Sequence, residues 1–235
     1  MELSQIKNYL PQEVLTAEVP KTTKSYSPVA HDNIINDVAE ELDKRNLGLQ
    51  SVSFNSGRKG QQLIGKFTLE GDHKDDDSLN QQISFRNSYD KSMSLAFVSG
   101  DRTWICKNGM ISGDMKFVRK HTGTIASEIS QRITETVDSI EQTHKFNNMV
   151  KGDLKSIKVN KSIMSELAGR MFIEQDIIKS TQLSIIKREI LDPSFEVFKE
   201  ENMWSFYNHC TYSLKENHPL DHINAHQKVH EFITA

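Results

Sequence analysis

The chain has 235 residues, long enough to bury a substantial core as one large domain or two small ones. Hydrophobic residues make up 36% and charged residues 26%, a globular balance, and no apolar run approaches the ~18 residues that a membrane-spanning helix needs. Net charge is −3, which excludes the overall Lys/Arg excess of a dedicated duplex-DNA binder.

Residues 1–27 carry Pro11, Pro20 and the polar run KTTKSYS, and read as an extended arm with one helical turn near LSQIKNYL. The opening MELSQIKNYLPQEV has no basic segment followed by a long apolar one, so no secretory signal is expected. Ser27-Pro28 fits an N-cap with proline at the first helical position. Ile34, Ile35, Val38 and Leu42 then recur at helical spacing, with Gly48 placed to end the helix.

The period next changes to two. Val52 and Phe54 alternate, NSGRKG supplies a turn, and Leu63, Phe67 and Leu69 alternate back. EGDHKDDDSLN is a solvated loop. QISFRNS, SMSLAFVSG and RTWICK follow as strands, the last turning at Asn108-Gly109, a pair that tolerates positive φ, and MKFVRK adds another. From Thr124 the period returns to about four: Ile125, Ile129, Ile133, Val137 and Ile140 form the apolar stripe of one long helix lying across the meander. Gly152 and KGDLKSIKVNK mark a break, after which SIMSELAGRMFI, TQLSIIKREIL, MWSFYNHCTYSL and PLDHINAHQKVHEFI read as helices.

The expected fold is α+β: an N-terminal helix, an antiparallel meander of about five to seven strands covered by a long helix, then a helical C-terminal region. The expected divisions are an arm at 1–27, an α+β core domain at 28–150 and a helical region at 151–235 packed on that core. The core should contain Ile35, Val38, Leu42, Phe54, Phe67, Phe85, Leu95, Phe97, Trp104, Ile129, Ile133 and Val137.

Three groups of residues bear on chemistry. The polar knot Asn87-Ser88-Tyr89-Asp90-Lys91-Ser92 has the composition of an Asx-type turn, and it also offers Arg86, Tyr89 and Lys91 as cations and a stacking face for nucleic acid. RKHTG at 119–123 brings Arg119, Lys120 and His121 to a strand-to-helix junction, where the helix N-terminus favours an anion. The alternative there is a solvated strand end with Thr122 or Thr124 as N-cap. From Arg86 to His121 there are seven Lys/Arg against three Asp, a local cationic stretch in a mildly acidic chain. His218, His222, His226 and His230 recur at steps of four. Two such histidines can ligate a metal, but a straight row diverges from a single point, so a row of partly buried polar side chains is preferred to a metal enzyme.

Cys106 and Cys210 are far apart, in no metal or redox spacing, which fits a reduced cytoplasmic setting. No nucleophile elbow, Walker loop, dinucleotide fingerprint or HExxH occurs, so no catalytic residue, cofactor or metal is expected.

The stretches LGLQSVSFNSGRKGQQLIGKFTL, ISFRNSYDKSMSLAF, WICKNGMISG and VRKHTG, in this order, with MWSFYNHCTY downstream, carry a resemblance. Over residues 25–234 the chain resembles the phage- and plasmid-encoded family called domain of unknown function 932. The resemblance implies a mobile-element protein in the host cytoplasm and names no reaction. The order helix, antiparallel meander, long helix is also similar to the core of ring-forming single-strand annealing recombinases of the eukaryotic type. The expected function is therefore an accessory nucleic-acid-binding protein of replication or recombination, for single-stranded DNA in particular, with homo-oligomerisation in view. The competing expectation is an interaction module aimed at a host protein, such as an inhibitor of a defence system. Arg86, Tyr89, Lys91, Arg119, Lys120 and His121 are the candidate binding surface.

Overall fold

The computed structural model describes residues 3–71, 75–103, 109–110, 116–123, 125–216 and 222–235. The chain forms two compact units, one from Met1–Gly71, Gln81–Gly100 and Asp114–Glu141, the other from Asp72–Asn80, Asp101–Gly113 and Gln142–Ala235. The units interleave in sequence instead of meeting at the junction expected between residues 150 and 151. The fold is mixed α+β, as the change of hydrophobic period implies.

In the first unit the helical turn expected over LSQIKNYL is present, and the N-terminal residues pack into the core. A 3-10 helix over Leu3–Tyr9 and the short helix α1 (Gln12–Leu15) bury Ile6, Leu10 and Val14 in the same apolar cluster as the helix that follows. That helix, α2, spans His31–Lys44 and turns Ile34, Ile35, Val38, Ala39 and Leu42 inward at the three- and four-residue spacing of one helical face. It starts later than Ser27-Pro28: the Ser27 amide donates to the His121 carbonyl at 2.9 Å, and Ala30 is the N-cap. It also stops before Gly48. Asn46 takes a left-handed φ of 53°, its amide reaches the Asp43 carbonyl at 2.9 Å, and the Leu47 amide reaches Leu42 at 3.0 Å. This pair of bonds is a Schellman cap with asparagine in glycine's usual place.

Strands β1 (Leu49–Gly57), β2 (Gln62–Leu69), β3 (Leu79–Ser88), β4 (Leu95–Thr103) and β5 (Gly109–Met110) lie side by side in chain order, and β6 (Lys116–Arg119) pairs with β4. The β1–β2, β2–β3, β4–β5 and β4–β6 pairings are antiparallel, as the meander requires. The β1–β2 hairpin turns through three consecutive left-handed residues, Arg58, Lys59 and Gly60. Gly60 is required there twice over: its φ is +80°, and an added Cβ would sit 2.1 Å from the Glu13 carbonyl oxygen.

One phenylalanine from each of five strands forms a continuous stripe. Phe54, Phe67, Phe85, Phe97 and Phe117 follow one another with ring centroids 6.0, 6.2, 6.3 and 6.2 Å apart. These spacings lie in the range of favourable aromatic pairs. The expected core residues Ile35, Val38, Leu42, Phe67, Phe85, Leu95, Phe97, Ile129, Ile133 and Val137 are buried together, with Phe54 packed against them part-exposed. Trp104, Cys106 and Asn108 lie outside the described residues.

The long covering helix is interrupted. Its isoleucine stripe occupies α3 (Ile125–Asp138), and α4 (Ile140–Ser156) begins after Ser139. The Ser139 hydroxyl donates to the Thr136 carbonyl at 2.7 Å and lies 2.9 Å from the Ser99 hydroxyl. A serine that bonds back to the preceding turn competes with the helical ladder and bends it. Gly152, expected as a break, lies inside α4, which runs on to Ser156.

The second unit adds α5 (Lys161–Ile173), α6 (Ser180–Leu191), α7 (Met203–Ser213) and α8 (His222–Thr234), in the four places where helical spacing occurs. Asn160 and Asn202 cap α5 and α7, each side chain accepting from an amide three residues on, at 3.0 and 2.8 Å. Met171, Ile186, Phe206, Cys210 and Val229 share its main apolar cluster. Among the described residues no helix is long and apolar enough to cross a membrane.

Candidate functional site

The knot between β3 and β4 is a self-bonded turn. The Ser88 hydroxyl donates to the Met93 carbonyl at 3.0 Å and accepts from the Met93 amide at 3.1 Å, closing the loop across its neck. Asp90 accepts from the Ser92 amide at 3.0 Å and from the Ser92 hydroxyl, while its other oxygen takes Arg58 at 3.0 Å and Gln62 at 3.1 Å. Burial works against the charged carboxylate, yet the Ser92 bonds hold Asp90 below the usual carboxylate range. Lys91, at the tip, has a φ of 63° and an exposed side chain.

Tyr89 points the other way, into the protein. Its hydroxyl accepts from the His31 amide at 2.8 Å, its ring stacks on His31 at 3.9 Å, and its carbonyl accepts from the Tyr26 hydroxyl at 2.9 Å. Asn87 donates to the Val29 carbonyl at 2.8 Å and lies 2.9 Å from His31 Nδ1, while His31 Nε2 faces the Gly60 carbonyl at 3.2 Å. That pattern fits the tautomer with the proton on Nε2. Burial lowers the His31 pKa to about 4, so the ring is neutral. The expectation that Tyr89 offers a face to a base is therefore corrected: it holds the start of α2.

The junction after β6 comes to the same end of the sheet. The β4–β6 ladder begins with Leu95 opposite Arg119, so the residues just before Leu95 and just after Arg119 leave the sheet side by side. Lys91, Ser92, Met93 and Ser94 from one segment, and Lys120, His121 and Thr122 from the other, line a cavity of about 240 Å³ with Ser25 and Tyr26. The Lys91 ammonium sits 4.6 Å from the centre of the Tyr26 ring. Among the described residues no acidic side chain lines the cavity. Gly123, with φ +64°, turns the chain onward toward α3.

His121 is the unusual member. It is 5% exposed, its ring meets Tyr26 edge-on at 5.8 Å, and neither ring nitrogen has a hydrogen-bond partner among the described residues. A buried polar atom left unpaired costs about 1–3 kcal/mol. Burial also lowers the His121 pKa.

The six expected site residues thus divide. Lys91, Lys120 and His121 meet at the cavity. Arg119 is held by Glu128 of α3 at 2.8 Å, which neutralises much of its charge. Arg86 lies half-buried within β3, opposite Ile64, outside the cavity lining. Tyr89 belongs to the core. Tyr26, which sequence reasoning left in an extended arm, supplies the cavity's aromatic wall; an aromatic residue inside a polar run was the only signal for it.

The second unit contains two polar clusters, each built on a buried aspartate. Asp101 is buried and accepts from His144 Nδ1 at 2.5 Å and Asn147 at 2.6 Å; this hydrogen bond raises the His144 pKa. Asp77 accepts from Lys151 at 2.9 Å and from Trp204 Nε1 at 3.2 Å, with Lys155 at 2.6 Å. Of the histidine row, His226 and His230 are buried, and His230 Nδ1 lies 3.4 Å from the Tyr207 hydroxyl. His218 and the His222 side chain lie outside the described residues. Among the described residues no three His, Cys, Asp or Glu side chains converge as a metal site.

No family model, curated protein or solved structure matches the chain.

Proposed function

We propose that the protein binds nucleic acid through phosphate contacts at the Lys91–Lys120–His121 cavity, as a non-catalytic accessory factor. One observation carries this reading: two lysines about thirty residues apart in sequence line one cavity that has no acidic wall among the described residues. Lysines so placed position a phosphate backbone without reading bases. The role in phage or plasmid replication or recombination, and the host cytoplasm as its setting, rest on the resemblance of the Asn-Ser-Tyr-Asp and Arg-Lys-His-Thr-Gly stretches. A single small cavity is a weak site, so repetition of the cavity in a homo-oligomer is part of the proposal.

The test is a salt titration of binding to single-stranded DNA. Each phosphate contact contributes roughly 0.7 to the slope of log affinity against log salt, so the Lys91→Ala/Lys120→Ala variant should flatten it by about 1.4. A variant that binds like the parent overturns the assignment.

A second reading, a protein-binding module, is favoured by apolar side chains left in solvent on the second unit. Ile173 is 79% exposed and Leu191 60%. Binding to a host protein that survives Lys91→Ala/Lys120→Ala and fails with Ile173→Asp would favour that reading.

A further inference from the structure

We infer that the cavity is built for a terminal phosphate monoester, the end group of a nucleotide or of a 5′-phosphorylated strand, in preference to an internal phosphodiester. The inference rests on the nucleic-acid reading above and names the chemical group which that site takes.

Charge is the first argument. Lys91 and Lys120 bring two positive charges, and among the described residues no carboxylate lines the cavity. An internal phosphodiester has one negative charge and two free oxygens; a monoester has close to two charges and three acceptor oxygens. The pair of ammonium groups matches the monoester.

Donor supply is the second. Ser94 and Thr122 add hydroxyls beside the lysines, and His121 adds a ring whose two buried nitrogens have no partner among the described residues. A neutral imidazole always has one N–H to give and one nitrogen to receive. A third oxygen takes the N–H, which the lysines alone leave unused. A water molecule in the same place would satisfy the ring without selecting any ligand, and the experiment separates the two.

Size is the third. At about 240 Å³ the cavity falls below the roughly 300–1,000 Å³ of pockets that enclose a whole small ligand. It takes a phosphoryl group and the nearest part of its sugar. Base and further nucleotides remain outside, so discrimination by sequence is not expected at this site.

The experiment compares two labelled single-stranded oligonucleotides of one sequence, with 5′-phosphate and with 5′-hydroxyl, by fluorescence anisotropy at fixed salt. A nucleoside 5′-monophosphate is titrated separately by calorimetry. The expected result is binding of the 5′-phosphate strand about tenfold tighter, the size of one to two charge-assisted hydrogen bonds. That advantage should vanish in Lys120→Ala and shrink in His121→Asn. Thr122→Ala, exposed and outside any helix or strand, is the second variant should His121→Asn fail to fold. Heat from the mononucleotide identifies a free nucleotide as a ligand; no heat with a retained end preference identifies the strand end. Equal affinity for both strands, with the salt slope intact, overturns this inference and leaves nucleic-acid binding standing. Binding of neither strand overturns the nucleic-acid reading, and the calorimetric arm alone then decides: heat supports a monoester site, and its absence overturns it.

Discussion

The Tyr89 hydroxyl accepts a hydrogen bond from the His31 amide at 2.8 Å, so a side chain from a turn holds the first residue of a helix 58 positions earlier. Ala30, at the N-cap, has no side-chain group to do this. Removing the acceptor leaves a buried N–H without a partner, at about 1–3 kcal/mol. Tyr89→Phe should therefore lower stability by that amount in urea denaturation and leave DNA affinity unchanged. Loss of affinity at unchanged stability would return Tyr89 to the binding surface.

Gly65 faces Phe85 across the β2–β3 ladder, and a Cβ there would lie 2.1 Å from the ring. Overpacking of this kind costs about 1–3 kcal/mol. Gly65→Ala should lower the melting temperature, and a second change, Phe85→Leu, should give less than the sum of the two losses. Additive losses would show that the ring can move aside.

Gly152 in α4 and Gly169 in α5 have open space where a Cβ would be built. Alanine at each position should raise stability by about 0.5–1 kcal/mol, through backbone entropy in the unfolded chain. Unchanged or lower denaturation midpoints would contradict the described helices.

Acid should weaken the fold through particular histidines. Burial lowers the pKa of His31 from 6.5 to about 4, and that of His209 likewise to about 4. A lowered folded-state pKa gives stability that is complete above the unfolded value and lost as pH falls toward the folded one. The loss should run from pH 6.5 down to about 4. His144 has the opposite sign, since its bond to Asp101 raises its pKa. Its contribution is complete below the unfolded value near 6.5 and disappears as pH rises through the raised one. Ring-proton NMR should find His144 titrating after His31, His121 and His209 as pH rises, and Asp101→Asn should return it toward the ordinary value.

The alternation of Phe67, Phe85 and Phe97 and the four-residue stripe from Ile125 to Ile140 made the sheet and its covering helix legible, because burial on one face imposes a period. The meeting of Lys91 with Lys120 was legible in outline, since a hairpin loop and a strand end can share one end of a sheet. Tyr89 was misread because the groups that claim it, on Tyr26 and His31, are remote in sequence, and composition carries no trace of them. The start of α2 failed for the same reason: its amide acceptor comes from another segment. Ser139 and Gly152 illustrate how weakly single residues mark breaks. A serine with a hydroxyl partner on β4 interrupts the stripe, while a glycine in open space does not.

The interleaved residue ranges have a consequence for how this gene can be cut and joined. Each unit draws on three separate stretches of chain, and the first already contains the N-terminal residues and the α3 stripe to either side of pieces of the second. No single cut yields a continuous segment that holds all of one unit and none of the other. A single crossover between related genes would leave full-length hybrids in which at least one unit is assembled from stretches of both parents. Moving one unit whole, without any of the other, takes several junctions in place of one.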